Sequence, residues 1–119
     1  HIHIDLGSHR LIDMTYTMIA DAYLGDVSSQ VFEFLNEPKP CLFMNSHGLK
    51  REKKQDFPQW EFGNVISNFS DFPYKLNSIF KDHPDFITNQ KSFIHSAFDT
   101  NDFSSGKRGA DAIINHFSL

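Results

Sequence analysis

The stretch DAYLGDVSSQVFEFL, residues 21–35, carries the residue types best suited to binding an anion. It begins like a buried strand, turns at Asp26, Ser28 and Ser29, and continues with apolar residues at helical spacing. A helix that starts at such a turn presents free backbone N–H groups, and two serine hydroxyls add further donors. The pattern predicts a phosphate-binding corner. The alternative is a helix cap, in which Asp26 and the serines satisfy only local backbone groups.

Two more polar residues are expected near this corner. Glu33 lies one turn into the predicted helix, where its carboxylate could accept hydrogen bonds from sugar hydroxyls; the alternative is a glutamate that faces solvent. His47, in NSHG, follows the apolar run CLFMN and is expected at the same sheet edge as Ser28, or else as a polar loop histidine. The seven histidines show no metal-ligand spacing, so the sequence predicts no metal site.

The corner must be positioned by alternating strands and helices. AYLG at 22–25 and CLFMN at 41–45 are predicted strands, and a helix over 28–36 between them completes a parallel βαβ unit. GNVI at 63–66 predicts a later short strand and HIHIDL at 1–6 an early one, so about four strands are expected. A sheet with so few strands has an incomplete edge, and we expect the chain to self-associate through it.

Helices are predicted to flank the sheet. Residues 9–20 have apolar residues at helical spacing, the pair 70–71 (Ser-Asp) predicts the N-cap of another helix, and Pro84 predicts the start of a third. Residues 104–117 predict a closing helix with four apolar residues facing inward: Ala110, Ile113, Ile114 and Phe117. The stretch 46–62 has no clean period and predicts a long loop, which in a compact domain is often functional.

Composition excludes several classes of protein. The chain has 119 residues and a formal charge of -4, which argues against a nucleic-acid surface, and no stretch is long enough to span a bilayer. The basic run LKREKK at 49–54 predicts a solvated loop, with contact to an acidic ligand or a membrane surface as the alternative. Cys41, the single cysteine, lies in an apolar run and predicts a core residue in a reducing compartment. Because the first residue is His1, we expect the chain to be an excerpt of a longer protein.

The stretch LIDMTYTMIADAYLGDVSSQVFEFLNEPKPCLFMNSHG resembles the carboxyl-terminal part of the CDP-glycerol glycerophosphotransferase family, enzymes that build teichoic-acid and capsule-like polymers. The family pattern has a short helix, a strand, an aspartate with a serine pair, an aromatic-acid pair and a Lys-Pro before the next strand. The resemblance covers residues 9–48 well, while FGNVISNFSDFPYKL and GKRGADAIINHF match more loosely. Gly25 and Val27 depart from the pattern, which has Thr and Tyr around the aspartate.

This resemblance implies a two-domain GT-B architecture in which residues 1–119 are a single nucleotide-donor-binding domain fragment. The implied fold class is α/β, a partial Rossmann-like parallel sheet flanked by helices that forms the C-terminal half of a GT-B-like domain. Ser28 and Ser29 would hold the phosphates of a nucleotide-diphosphate donor, CDP-glycerol or a nucleotide sugar, while Asp26 shapes the turn. Glu33 and His47 would contact the donor or its ribose. No cofactor is implied.

The resemblance also places the acceptor domain and the catalytic histidines upstream, so these residues alone are expected to be inactive. It implies synthesis of a cell-surface polymer in the cytoplasm, at the inner membrane face, with peripheral membrane association of the full protein. UDP-N-acetylglucosamine 2-epimerases share a related corner, so an epimerase or another GT-B glycosyltransferase is one alternative. A non-catalytic binding or regulatory module that keeps the fold is the other.

Overall fold

A computed structural model describes residues 1–50, 56–98 and 104–117 of the chain. A three-stranded parallel sheet lies at its centre, in the order β1 (Tyr23–Gly25), β2 (Cys41–Met44) and β3 (Asn64–Ile66). The helices of the described residues are α1 (His9–Ile12), α2 (Thr15–Ile19), α3 (Gln30–Phe34), α4 (Phe72–Asp82), α5 (Ile87–Ala97) and α6 (Ser105–Phe117). Single 3-10 turns cover Pro58–Glu61, Phe69–Asp71 and His83–Asp85.

These elements confirm the α/β fold class, with β1, α3 and β2 forming the predicted parallel unit. The register pairs Tyr23 with Cys41 and Leu42 with Asn64, so β2 is hydrogen-bonded on both sides. The link from β2 to β3 contains a 3-10 turn and, among the residues described there, no α-helix. The second crossover is therefore less regular than the first.

The central strand β2 divides the core into two layers because its side chains alternate between the two faces of the sheet. Cys41 and Phe43 belong to a cluster with residues in or directly after α3 and the 3-10 turn Pro58–Glu61. These residues are Val31, Phe34, Leu35, Trp60 and Phe62. Leu42 packs on the opposite face with Ile66 and with Ile79 of α4. Both faces of the sheet are thus covered, as a parallel sheet requires.

The amino ends of β2 and β3 are held by the side chain of Gln90, which is fully buried on α5. Its Nε2 donates to the carbonyl of Lys39 at 2.9 Å and to that of Phe62 at 2.6 Å. Its Oε1 accepts from Nε2 of His83 at 3.1 Å. Each carbonyl lies two residues before its strand, so one amide group fixes where both strands begin.

A second link at this end of the sheet comes from Lys39, whose Nζ donates to the carbonyls of Met18 and Ala20, each at 3.1 Å. The ammonium group therefore caps the last turn of α2, where the helix dipole favours a cation. It also lies 5.1 Å from the centre of the Phe34 ring. Through this one side chain α2 is attached to the start of β2.

Gly63 is required by the close approach of two strands. A Cβ at this position would lie 2.2 Å from the carbonyl oxygen of Cys41, a distance that no side chain tolerates. Glycine is therefore the residue that lets β3 reach hydrogen-bonding distance of β2 at this point.

The predicted strand over residues 1–6 is wrong, because these residues form an irregular segment. The carboxylate of Asp5 accepts from the backbone N–H groups of Gly7 (3.0 Å) and Ser8 (2.8 Å), from the Ser8 hydroxyl, and from the Tyr16 hydroxyl (2.7 Å). These bonds hold the pKa of Asp5 well below its usual range. An aspartate that binds the following amides draws the chain into a turn and overrides the alternating pattern.

The single helix predicted over residues 9–20 is two short helices. They are separated at Asp13 and Met14, and Met14 adopts the left-handed conformation with φ of 62°. The Asp13 carboxylate accepts from the backbone N–H of Thr15 at 3.0 Å and from its hydroxyl at 2.6 Å, which lowers the pKa of Asp13. This local cap competes with a continuous helix, and spacing of apolar residues does not report it.

The N-cap position of α4 is Asp71, within the predicted pair 70–71, although its side chain makes no capping hydrogen bond. The 3-10 turn before it is capped by Asn68, whose Oδ1 accepts from the N–H of Ser70 at 3.1 Å. Two other expectations about helices need correction. Pro84 lies in a 3-10 turn, and α5 begins later, at Ile87. The apolar residues of α6 do not face inward, since three of them have exposed fractions of 45–65%: Ile113, Ile114 and Phe117.

We predict that replacing Gln90 by alanine lowers the free energy of unfolding by about 2–4 kcal/mol, because two buried carbonyls lose their donor and a cavity forms. Urea denaturation monitored by the fluorescence of Trp60 measures the change. Asn89→Ala is the matched control, since this exposed neighbour donates one bond, to the carbonyl of Glu61 at 3.2 Å. Equal losses for the two variants would contradict the role given to Gln90.

Self-association stays a prediction. In the described residues β1 and β3 each pair only with β2, so both edges of the sheet offer unpaired backbone groups. The weight-average sedimentation coefficient is expected to rise with protein concentration. Leu24→Lys, which places a charge on the exposed side of β1, should reduce the rise. A concentration-independent monomer in the unsubstituted protein would disprove the expectation.

Candidate functional site

The carboxyl ends of the three strands lie on one edge of the sheet because the strands are parallel. Asp26 to Ser29 follow β1, Asn45 to His47 follow β2, and Ser67 with Asn68 follows β3. In open α/β sheets this is the edge at which ligands bind. The edge gathers hydroxyl, amide and imidazole groups from three separate stretches of the sequence.

Tyr23 organises the turn after β1. Its hydroxyl donates to the backbone carbonyl of Asp26 at 3.0 Å and also forms a hydrogen bond with Ser28. The ring reaches this position by crossing Gly25, where an added Cβ would lie 2.8 Å from the tyrosine oxygen. Burial, followed by the nearby Cys41 and Asp26, raises the pKa of Tyr23, so the phenol remains protonated and acts as a donor.

The predicted corner residues make local contacts with the backbone. Oδ1 of Asp26 accepts from the N–H of Val27 at 2.7 Å, and Oγ of Ser28 accepts from the N–H of Gln30 at 3.2 Å. Ser29 is at the N-cap position, but its exposed side chain makes no capping hydrogen bond. Ser28 therefore has the geometry of a cap, while the hydroxyl of Ser29 is open to solvent.

The helix behind the corner is short. α3 has five residues, so the dipole that it offers an anion is smaller than that of a long helix. Any affinity for phosphate at this corner must come from individual hydroxyl and N–H donors more than from the helix as a whole.

Glu33 is exposed and lies on the side of α3 that faces α2. It lines a groove of about 120 Å³ together with Thr17, Met18 and Lys39. A wider apolar groove of about 390 Å³ continues past Glu33 to Met14. The carboxylate is thus free to accept hydrogen bonds from a molecule in this groove.

His47 lies at the exposed tip of a turn that Asn45 holds in place. Nδ2 of the buried Asn45 donates to the carbonyl of Leu49 at 2.8 Å and to Oγ of Ser67 at 3.0 Å, and its Oδ1 accepts from the N–H of Leu49 at 2.9 Å. This amide closes the turn and links the end of β2 to the end of β3. Within the described residues His47 makes no direct hydrogen bond with the β1 corner.

The turn that holds Asp26 and Ser28 lies where the sequence predicts it, but Tyr23 and Asn45 are not among the predicted site residues. The sequence predicts Tyr23 only as part of a strand; the glycine two residues after it is the signal that its ring can cross the backbone there. Asn45 closes the predicted strand CLFMN, and a polar residue that ends an apolar run was the available sign. Residues 51–54, which are four of the six residues in the predicted basic run at 49–54, lie outside the described residues.

No metal centre can be built from the described histidine, cysteine, aspartate and glutamate residues, since no three of them cluster closely enough to hold an ion. The described helices also include none that is long and apolar enough to cross a membrane. At the carboxyl edge the described residues supply hydroxyl, amide and imidazole groups with the carboxylate of Asp26 beside them, while Glu33 lies apart in the groove beside Lys39.

A parallel sheet covered by helices on both faces, with polar groups gathered at its carboxyl edge, defines an α/β protein of the Rossmann-like class. The chain belongs to the CDP-glycerol:poly(glycerophosphate) glycerophosphotransferase family, whose model matches residues 3–115. It is therefore a transferase of the glycerophosphotransferase type. Among curated proteins and solved structures, none matches the chain significantly.

Cys41 is a core residue, as predicted, because its side chain is buried at the start of β2 and its Sγ donates to the carbonyl of Lys39 at 3.5 Å. Burial raises the pKa of Cys41 to about 12. The thiol is therefore neutral at physiological pH and is a poor nucleophile.

We predict that native Cys41 resists alkylation by iodoacetamide between pH 7 and pH 9, since about three pH units or more separate this range from its pKa. Mass spectrometry after timed labelling measures the modified fraction. The same protein in urea is the control, because the exposed thiol regains its ordinary pKa of roughly 8.5 and reacts quickly. Rapid labelling of the folded protein at pH 8 would show that the thiol is accessible.

Proposed function

We propose that residues 1–119 bind the nucleotide-linked donor of a glycerophosphotransferase, and that the donor is CDP-glycerol. The family and the position of the Asp26–Ser29 corner at the carboxyl edge of a parallel sheet support this. In the proposal the donor phosphates lie at that corner, with Ser29 as the most accessible hydroxyl. The single observation that carries it is the serine pair at the strand-to-helix turn of a family member.

The hydrogen-bond donors available at the corner suit a diphosphate. The Ser29 hydroxyl is exposed, while Ser28 accepts from Gln30 and shares a hydrogen bond with Tyr23, so its proton reaches a phosphate only when that bond is exchanged. Asp26 does not contact the phosphates in this proposal, because two like charges would repel. Its carboxylate instead holds the turn through the N–H of Val27.

Glu33 and His47 are proposed to bind the rest of the donor. A carboxylate accepts hydrogen bonds from vicinal hydroxyls, so Glu33 is suited to the ribose of a nucleotide lying in the groove between α2 and α3. His47, exposed at the same sheet edge, is placed to donate to a phosphate or hydroxyl oxygen. The role of His47 follows from its position at this edge, and that of Glu33 from the chemistry of its carboxylate in the groove beside Lys39.

The reaction proposed for the whole protein is the transfer of glycerol phosphate. A hydroxyl of the acceptor attacks the phosphorus that carries glycerol, the bond to the bridging oxygen of the diphosphate breaks, and CMP leaves. We place this reaction in the cleft of a two-domain GT-B architecture, in the synthesis of a cell-surface polymer at the cytoplasmic face of the membrane. The residues of this chain bind and orient the donor, and the proposal assigns no catalytic group to them.

The proposal predicts that a double Ser28→Ala, Ser29→Ala variant of the full-length protein binds CDP-glycerol at least about tenfold more weakly, because two hydrogen bonds to charged oxygens are lost. Titration calorimetry measures the affinity, and melting curves measure stability beside it. Ser92→Ala, which removes an exposed serine of α5, is the control and should change neither quantity.

The helix-cap interpretation makes the opposite prediction for the same variant. A cap alone would give a loss of stability of about 1 kcal/mol with the affinity for CDP-glycerol untouched. That outcome would remove the serine pair from the binding site. Titration of UDP-sugars beside CDP-glycerol tests the donor, and stronger binding of a UDP-sugar would favour the epimerase or glycosyltransferase alternative.

A further inference from the structure

A second pocket opens at the carboxyl ends of β2 and β3, with a volume of about 240 Å³. Met44 and Ile66, the last residues of the two strands, form its apolar floor. Ser46, Ser67 and Asn68 supply its polar groups, and Phe69 forms one wall. None of the residues that carry the predicted phosphate corner lines this pocket, so it is a separate feature of the same edge.

The hydrogen bonds around the pocket show which groups are left for a ligand. Asn45 uses both amide hydrogens and its oxygen within the protein, so it is a rigid part of the wall. Oγ of Ser67 accepts from Asn45 and therefore keeps its proton for donation. The oxygen of Asn68 is taken by the N–H of Ser70, which leaves the amide NH₂ to face a ligand. Ser46 is exposed.

The charge around the pocket favours a neutral ligand. None of its lining side chains is ionisable. The 3-10 turn that leads into α4 begins here. The N–H of Ser70 in this turn already donates to Asn68, and the Asp71 carboxylate follows directly. An anion would have to displace the cap and approach a negative charge. A phosphate is therefore a poor occupant, whereas a group with several hydroxyls matches the donors and acceptors present.

The wall formed by Phe69 suits the carbon skeleton of such a group. Its side chain is 69% exposed and stacks on Phe72, with ring centroids 5.4 Å apart and planes within 2°. This pair offers a flat apolar surface beside the polar groups of Ser67 and Asn68. Sites of this kind, mostly apolar with a few placed polar groups, are typical for small molecules.

The distance to the phosphate corner is set by the sheet. Neighbouring strands lie about 4.8 Å apart, so a pocket between the ends of β2 and β3 is one to two strand spacings, about 5–10 Å, from the end of β1. A glyceryl or sugar group attached to a phosphate spans a comparable length. We infer that this pocket binds the uncharged, hydroxyl-bearing group that the donor carries on its phosphate. The inference rests on the proposed function, since it assumes a donor whose phosphates lie at Ser28 and Ser29.

The test compares CDP-glycerol with CDP, which lacks the glyceryl group, by titration calorimetry of the full-length protein. Ser46→Ala and Ser67→Ala should each reduce the preference for CDP-glycerol over CDP by about three- to tenfold and leave the affinity for CDP unchanged. Ser67→Ala also removes an acceptor of Asn45, so Ser46→Ala keeps the test valid if that variant is unstable. Ser70→Ala, a serine on the next turn outside the pocket, should change neither affinity.

The inference would be overturned if Ser46→Ala and Ser67→Ala weakened the binding of CDP and of CDP-glycerol equally, or weakened neither. An unsubstituted protein that binds CDP-glycerol no better than CDP, and UDP-N-acetylglucosamine no better than UDP, would overturn it as well. Failure of the proposed function gives a different result. In that case the double Ser28→Ala, Ser29→Ala variant binds CDP as tightly as the unsubstituted protein does. If the protein binds UDP-N-acetylglucosamine more tightly than UDP, and Ser46→Ala reduces that preference, the pocket is supported and the donor is a nucleotide sugar instead of CDP-glycerol.

Discussion

One buried amide sets the frame on which the rest of the fold is built. Gln90 reaches from α5 to the carbonyls of Lys39 and Phe62, and thereby fixes the amino ends of two neighbouring strands with a single rigid group. Since Lys39 also caps α2, the same small region locks a second layer of helix to the sheet. The opposite edge carries few such constraints apart from Asn45. The bonds that hold the strands and the polar groups proposed to bind the donor therefore lie at opposite ends of three short strands.

This separation explains why polar groups at the carboxyl edge cost the fold little free energy. The hydroxyls and amides there are exposed or bonded to nearby backbone groups, so they need no buried partner. Asn45 is the exception, and all its bonding capacity is used to tie the ends of β2 and β3 together. The edge is thus organised by one saturated side chain, while its neighbours Ser46, Ser67 and Asn68 keep groups available to a ligand.

The sequence was most informative where apolar residues form short continuous runs. CLFMN marked the central strand, because a strand buried on both faces needs no polar alternation. It was least informative where a single aspartate governs the backbone. Asp5 and Asp13 bend the chain through hydrogen bonds to the amides that follow, and hydrophobic spacing contains no sign of them. The strand-to-helix turn that carries the serines lies where the sequence predicts it, but the role of Tyr23 cannot be predicted because it depends on how a ring folds across Gly25.

The crossing of Tyr23 over Gly25 couples these two positions. The phenol occupies the space that a side chain at position 25 would need, so a threonine there requires the ring to move away from the turn. The phenol hydroxyl of Tyr23 reaches this turn across a position that carries no side chain. A larger residue at position 25 is therefore expected to need a compensating change at position 23.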